Sequence, residues 1–301
     1  GCDFPLKTSW YLAFQVNGKR FVIDALDADL INQSAYQWCD VYAKVNVSYE
    51  TIALDTHQKI QPVGPSFGVK FLPAGRAALQ ALTTLGKSGL PKTSYREHIA
   101  NYYRQFRYRV PESQYSYQPA EQPTIFHTSS LWKSTPLTNQ NRLKFIQCCQ
   151  SIPELAFEGG FTSHPDFPTY KPYFAAKKYS IQEYLEKTRR SLFVFNTPAV
   201  WSCLGWKLAE YLALGKAILS TPLKRLMPHP LEHGQQIHFC AEDPESICQA
   251  ARYLLEHADY RKQLEENARA YYQNYLKPAK VIDSLIQGSS HASLRDENRT
   301  D

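Results

Sequence analysis

Two runs rich in apolar and aromatic residues, 10–16 and 19–26, flank Asn17-Gly18. Such runs mark strands, and Asn-Gly suits the positive φ angles of a two-residue turn. A hairpin with strands at about 10–16 and 20–24 is therefore predicted. Asp27 can cap a short helix that carries Leu30, Ile31, Ala35 and Trp38 on one face, and residues 41–45 read as another strand. The stretch 58–73, with Gly64 and Gly68, reads as a loop, either facing a cleft or simply connecting. Helical spacing begins at Pro73. It resumes at Ser94, where Glu97 three residues on forms a capping-box pattern, and runs through Ile99, Tyr103, Phe106 and Val110.

Periodicity then stops. Residues 111–123 hold three prolines and no aliphatic residue larger than alanine, the composition of a linker. Beyond it, short apolar runs at 124, 155, 192, 217 and 237 alternate with helical stretches. These are capped near Thr138, by the Ser180-to-Glu183 box and by Asp243-Pro244, with a stretch at 206–214 and a last one carrying Leu264, Ala268, Tyr271 and Tyr275. Continuous apolar strands alternating with helices imply a parallel sheet covered on both faces. The expected organisation is an α/β chain in three parts: residues 1–122, residues 123–287 as a doubly wound domain, and a tail at 288–301 without apolar pattern that should be disordered.

A 43% hydrophobic share with 13% aromatics excludes a mostly disordered chain. No run approaches the roughly 18 apolar residues of a spanning helix, and the start lacks a signal-peptide pattern, so a cytoplasmic protein is expected. The chain opens on Gly1 and its sole methionine is Met227, which suggests a processed or truncated N-terminal half. The seven cysteines show no CxxC spacing and read as reduced core thiols. Lys and Arg number 34 against 28 Asp and Glu, a net +6 that looks spread along the chain; this argues against nucleic acid and allows loose contact with the anionic inner face of a membrane. His229, His233 and His238 are near in sequence, but Pro228 and Pro230 prevent the helix that would align them, so no metal site is expected. The paired tyrosines of 102–103 and 271–272 repeat at helical spacing and read as core or interface.

Ligands of doubly wound sheets bind where strands end and helices begin. After the strand at 124, Thr128, Ser129 and Ser130 offer hydroxyls and amides, with Lys133 and Arg142 close in sequence; a plain strand-to-helix loop is the alternative. Glu158-Gly159-Gly160 follows the next strand, where the glycines could serve only a turn. Asn196 and Thr197 end the strand at 192. Trp206 and Lys207 open a helix whose N-terminus can receive an anion, and Glu210 shares the face of Lys207. A surface Lys-Glu pair is the plainer reading of that spacing. Asp24 and Asp27 stand at a strand end, where an acid or base could face a cleft. No residue identifies itself as the catalytic base. Asp27 and Asp29 also form an Asp-x-Asp, a pattern that arises easily by chance.

The run LAEYLALGKAILSTP, with Glu210 five residues before Gly215, resembles the donor-site segment of GT-B glycosyltransferases of group 1. The segment 234–275, with its glycine turn, Asp-Pro-Glu cap and Asn-Ala-Arg helix end, is similar to that family's closing pattern. The resemblance spans about 130–278 and implies two Rossmann-like domains facing a cleft, the first of them short. It implies that Glu210 holds the ribose of a nucleoside-diphosphate sugar and that Lys207 with the helix N-terminus receives the diphosphate. The family's first motif glutamate would fall at Ser202. The implied activity is metal-independent sugar transfer, with no cofactor, to an acceptor hydroxyl on a glycan or lipid-linked saccharide. Alternatives on the same fold are a nucleotide-sugar epimerase or hydrolase, and a non-catalytic partner subunit.

Overall fold

The computed structural model describes residues 3–6, 10–87 and 92–288, so that the tail expected at 288–301 lies, beyond Gly288, outside the described residues. The predicted hairpin is present. Strands β1 (Tyr11–Val16) and β2 (Lys19–Asp24) pair antiparallel, and Asn17 and Gly18 both take positive φ, 50° and 79°. Helix α1 (Gln33–Trp38) follows, capped by the side chain of Asn32 rather than by Asp27. Strand β3 (Val41–Lys44), helix α2 (Tyr49–Ala53) and strand β4 (Ile60–Pro62) complete a mixed sheet of order β1-β2-β3-β4. Its side chains alternate: Val22 and Tyr42 pack with Ala35 and Ile60, while Phe21, Val41 and Ala43 pack on the other face. Helices α3 (Ala74–Lys87) and α4 (Tyr95–Arg107) come next and pack on each other. The expected capping box at α4 does not form: Ser94 makes no side-chain cap bond, and Glu97 pairs with Arg104 at 2.6 Å.

The segment 111–123 is not a free crossing. Tyr115 is buried in the core beside Leu208 and Tyr211, its carbonyl accepts from Arg269 at 2.7 Å, and the Tyr117 hydroxyl donates to Glu265 at 2.9 Å.

Strand β5 (Thr124–Ser129), helix α5 (Pro136–Ser151), strand β6 (Ala156–Phe161), helix α6 (Ile181–Arg190), strand β7 (Val194–Asn196), helix α7 (Trp206–Leu214) and strands β8 (Ile218–Ser220) and β9 (His238–Phe239) follow. Strand β5 pairs parallel with β6, and β7 with β8 and β8 with β9 likewise. Beside β5, the Leu192 amide just ahead of β7 donates to the Thr124 carbonyl at 2.8 Å, so the strands run β6-β5-β7-β8-β9. Burial on both faces explains the unbroken apolar runs. Val194 and Ile218 face α7, while Phe193, Phe195 and Leu219 face α5 and helix α8 (Pro244–Glu256). Gly159 and Gly160 lie inside β6 and do not form a turn after it.

Helix α9 (Ala258–Tyr271) packs against α7. Helix α10 (Pro278–Gln287) returns to the other half: Val281 and Leu285 join the cluster of Phe21, Val41, Ala43 and Val63 on the N-terminal sheet. Among the described residues no helix is long and apolar enough to cross a membrane.

Candidate functional site

The strand order reverses direction between β5 and β7, since β6 lies to one side of the pair and β8 to the other. At that point the loops leaving the two strands part and leave a crevice. It opens into a cleft of about 690 Å³ between the two halves of the chain. The C-terminal half contributes Thr128 to Ser130, Trp132 and Ser134, then Asn196, Thr197 and, except for Ser202, the loop from Ala199 to Lys207. The N-terminal half contributes Ala25, Asp27, Asn46, Pro65 and Ser66.

The floor is polar and short of partners. The Ser129 hydroxyl and both ring nitrogens of His127 are buried with no hydrogen bond. Burial, with Lys207 and Arg142 adding to it, holds His127 well below the usual imidazole range, so the ring is neutral. Lys207 donates to the carbonyl of Thr128 and lies over the ring of Tyr184, 5.5 Å from its centroid. Its burial, and secondly the Arg142 charge, lower the ammonium to about 7. Arg142 donates to the Ser130 carbonyl at 2.9 Å and is itself lowered by burial to about 10. The first-turn amides of α7 lie beside Lys207, and the partial positive charge of that helix end adds to the same region. Two cationic side chains, a helix N-terminus and an unpaired hydroxyl thus converge where a phosphate could be received.

Of the residues expected from sequence, Ser129, Ser130, Asn196, Thr197, Trp206, Lys207 and Asp27 line the cleft. Thr128 and Arg142, named with them, line it too, whereas Lys133, Asp24 and Glu210 do not. Lys133 points away and pairs with Asp166 at 2.5 Å. Asp24 is sealed in the sheet with Lys44 at 3.1 Å, both side chains fully buried, and accepts from the Tyr42 hydroxyl at 2.6 Å; it cannot act as a base on a ligand. Glu210 lies behind the wall rather than on it. The hydroxyls of Tyr115 and Tyr184 donate to it at 3.1 and 3.0 Å, and burial raises its carboxyl to about 7 against those two bonds. Tyr184 stands between it and the cleft, so in this conformation Glu210 does not face a ribose. Ser202, at the position of the family's first motif glutamate, is in the left-handed region with φ 59° and does not line the cleft.

Sequence reasoning missed His127, Tyr184, Asn46, Trp132 and Trp201, all of which line the cleft. His127 had a signal, as a polar residue inside an otherwise apolar buried strand. Asn46 had none, because its role is long-range: its side-chain oxygen accepts the Leu204 amide at 2.8 Å across the two halves. Arg225 makes a second tie, donating to Asp29 at 3.3 Å and to the Trp201 carbonyl at 2.9 Å. Between them these ties hold the loop 199–205 to the N-terminal half. Among the described residues no group of three or more His, Cys, Asp or Glu side chains is placed to hold a metal; His233 and His238 spend ring nitrogens on the Phe239 amide and on Tyr260.

Residues 159–287 match the family described as glycosyl transferase-like. This part of the chain is similar to that family, and the cleft lies at the strand ends of its parallel α/β half. Among solved structures, a glycosyltransferase from Rickettsia africae is 10% identical, with 90% of this chain and 69% of that one covered and a TM-score of 0.47. The C-terminal domain of a group 1 family glycosyl transferase from Francisella tularensis is 12% identical, with 53% and 88% covered and a TM-score of 0.40. An Anabaena protein solved with UDP and glucose is 11% identical, with 83% and 91% covered and a TM-score of 0.42. No curated protein matches the chain.

Proposed function

We propose that this chain transfers a sugar from a nucleoside-diphosphate sugar to an acceptor hydroxyl on a glycan or lipid-linked saccharide. The carrying observation is the convergence of Lys207, Arg142, the α7 N-terminus and the unpaired Ser129 hydroxyl at the switch point of the sheet. Charge that develops on a departing diphosphate would be met by fixed cations and amides in a partly dry site, which is the role a divalent metal would otherwise fill. Metal independence of the transfer follows as part of the proposal. The half-exposed Trp132 and Trp206 and the more exposed Trp201 give the cleft aromatic faces, against which sugar rings or a base can stack. Asp27 is the carboxylate of the N-terminal wall and the candidate base toward an acceptor hydroxyl.

Ser202 supports a second reading, in which the chain binds a nucleotide but turns nothing over, as a partner subunit would. One experiment separates the two. A calorimetric and thermal-shift panel of UDP, GDP, ADP and CMP with their sugar conjugates should find a nucleoside diphosphate that stabilises the protein. A ligand at 100 times its dissociation constant contributes about 2.7 kcal/mol. Lys207→Met should abolish that shift. Asp27→Asn should keep the shift while turnover, insensitive to chelator in the wild type, falls by about a hundredfold or more. Binding without turnover in the wild type would select the second reading, and no binding at all would remove both.

A further inference from the structure

The positive charge is not spread along the chain as its overall composition suggests. Residues 70–109 hold Lys70, Arg76, Lys87, Lys92, Arg96, Arg104, Arg107 and Arg109 against the single acid Glu97, a local balance of +7 that exceeds the +6 of the whole molecule. Only Arg104 among them forms an ion pair among the described residues, with Glu97. These charges sit on α3 and α4 and their flanks, which face inward with little apolar surface: Ala77 and Ala81 are buried, and Thr84 bonds His98 and Tyr102 at 3.0 and 3.2 Å. Several of their larger apolar side chains face outward instead. Leu79 and Leu82, three apart on α3, are 64% and 63% exposed, and Phe71 just ahead of the helix is 67% exposed. On α4, Tyr95, Ile99 and Tyr103 recur at every fourth position and are all exposed, with Arg107 next in the row.

We propose that the α3–α4 pair is a docking surface for an anionic lipid bilayer, the exposed leucines, isoleucine and aromatics entering the headgroup layer and the arginines and lysines holding anionic headgroups. An outward apolar stripe interleaved with cations and almost devoid of acids has the chemistry of a helix that lies in a membrane interface. A water-exposed face of the same charge needs none of those apolar residues, and a protein partner would need a matching cluster of acids, whereas an anionic bilayer supplies both the charge and the apolar layer. The cleft is close along the chain: Pro65 and Ser66 line it, and Phe71 follows five residues later. The proposal stands on charge and exposure and does not depend on the transferase reading.

Flotation of the full chain with vesicles of phosphatidylcholine alone, and of phosphatidylcholine with about one third phosphatidylglycerol, tests it. Binding to the anionic vesicles only is expected, weakening as salt rises. The triple variant Arg76→Glu, Arg96→Glu, Arg107→Glu should lose about a factor of five per residue, a hundredfold or more in all. Leu79→Ser with Leu82→Ser, at exposed positions that leave the melting temperature in place, should lose about tenfold. The reversals Lys178→Glu, Arg252→Glu and Lys262→Glu on the other half should leave binding within a few-fold. Equal binding to neutral vesicles, no binding to anionic ones, an equal loss in the control triple, or displacement of the vesicles by a single-stranded oligonucleotide would each overturn the proposal. Nucleoside-diphosphate binding, measured on the same variants, should not change. A failure of the docking surface is thereby kept apart from a failure of the nucleotide site.

Discussion

Lys207 is poised because its surroundings oppose its charge: burial, with the Arg142 guanidinium beside it, brings the ammonium to about 7, and Glu210 only partly offsets them. A bound diphosphate would favour the charged form and raise that value, so the complex takes up a proton. Affinity for a nucleoside diphosphate is therefore at its full value, as far as this group is concerned, below pH 7. It falls by up to tenfold per unit as pH rises from about 7 toward the bound value. Calorimetry between about pH 6 and pH 9, in two buffers of different ionisation enthalpy, should show proton uptake that vanishes in Lys207→Met. Glu210 shows what helical spacing leaves open on the same helix. Helix α7 is apolar nearly all round, with every residue from Leu208 to Leu214 buried, so helical spacing could not tell a cleft-facing carboxylate from one enclosed by Tyr115 and Tyr184.

Strand β6 carries the most exacting backbone constraint near the site. Gly159 and Gly160 have φ of 119° and 121°, a region closed to other residues, and a Cβ at either would run into the backbone of His127 or of Tyr173. Gly159→Ala should cost more than about 3 kcal/mol, from strain and overpacking together. Ser180→Ala, which removes one half of the α6 capping box, should cost about 1 kcal/mol. Denaturant melts of the two variants side by side check the ratio. Elements with short-range signals were legible: the hairpin at Asn17-Gly18, the Ser180-to-Glu183 box, and Asp243, whose side chain accepts the Ser246 amide at 2.8 Å. Where a local signal met a competing partner it failed, as at Glu97, which Arg104 takes. Strand β4 and the packed segment around Tyr115 owe their structure to distant neighbours, and no local pattern announces such contacts. The cleft was legible by half for the same reason. Strand ends and a helix start are local features, so Ser129, Asn196 and Lys207 could be found, whereas Asn46 and Tyr184 are brought in by the fold.

The two halves are tied at the cleft and away from it. On one side Asn46 and Arg225 fix the 199–205 loop, and the Leu226 amide donates to the Val47 carbonyl at 2.8 Å; on the other α10 crosses back to seal the N-terminal sheet with Leu285, which is 2% exposed. Leu285→Ala removes a buried anchor that no residue of the N-terminal half can replace, and should cost about 2 to 4 kcal/mol by thermal or denaturant melting. Its effect on activity should be unequal. The diphosphate groups of the site, Lys207, Arg142 and Ser129, all belong to the C-terminal half and do not touch α10, so nucleotide affinity should stay within a few-fold. Under the proposed transfer Asp27 must stand across from them, and a looser N-terminal wall would misplace it, so turnover should fall by tenfold or more at a temperature where the variant is still folded. Equal losses in affinity and turnover would show that the N-terminal wall also grips the donor, and would move the binding site from the strand ends into the middle of the cleft.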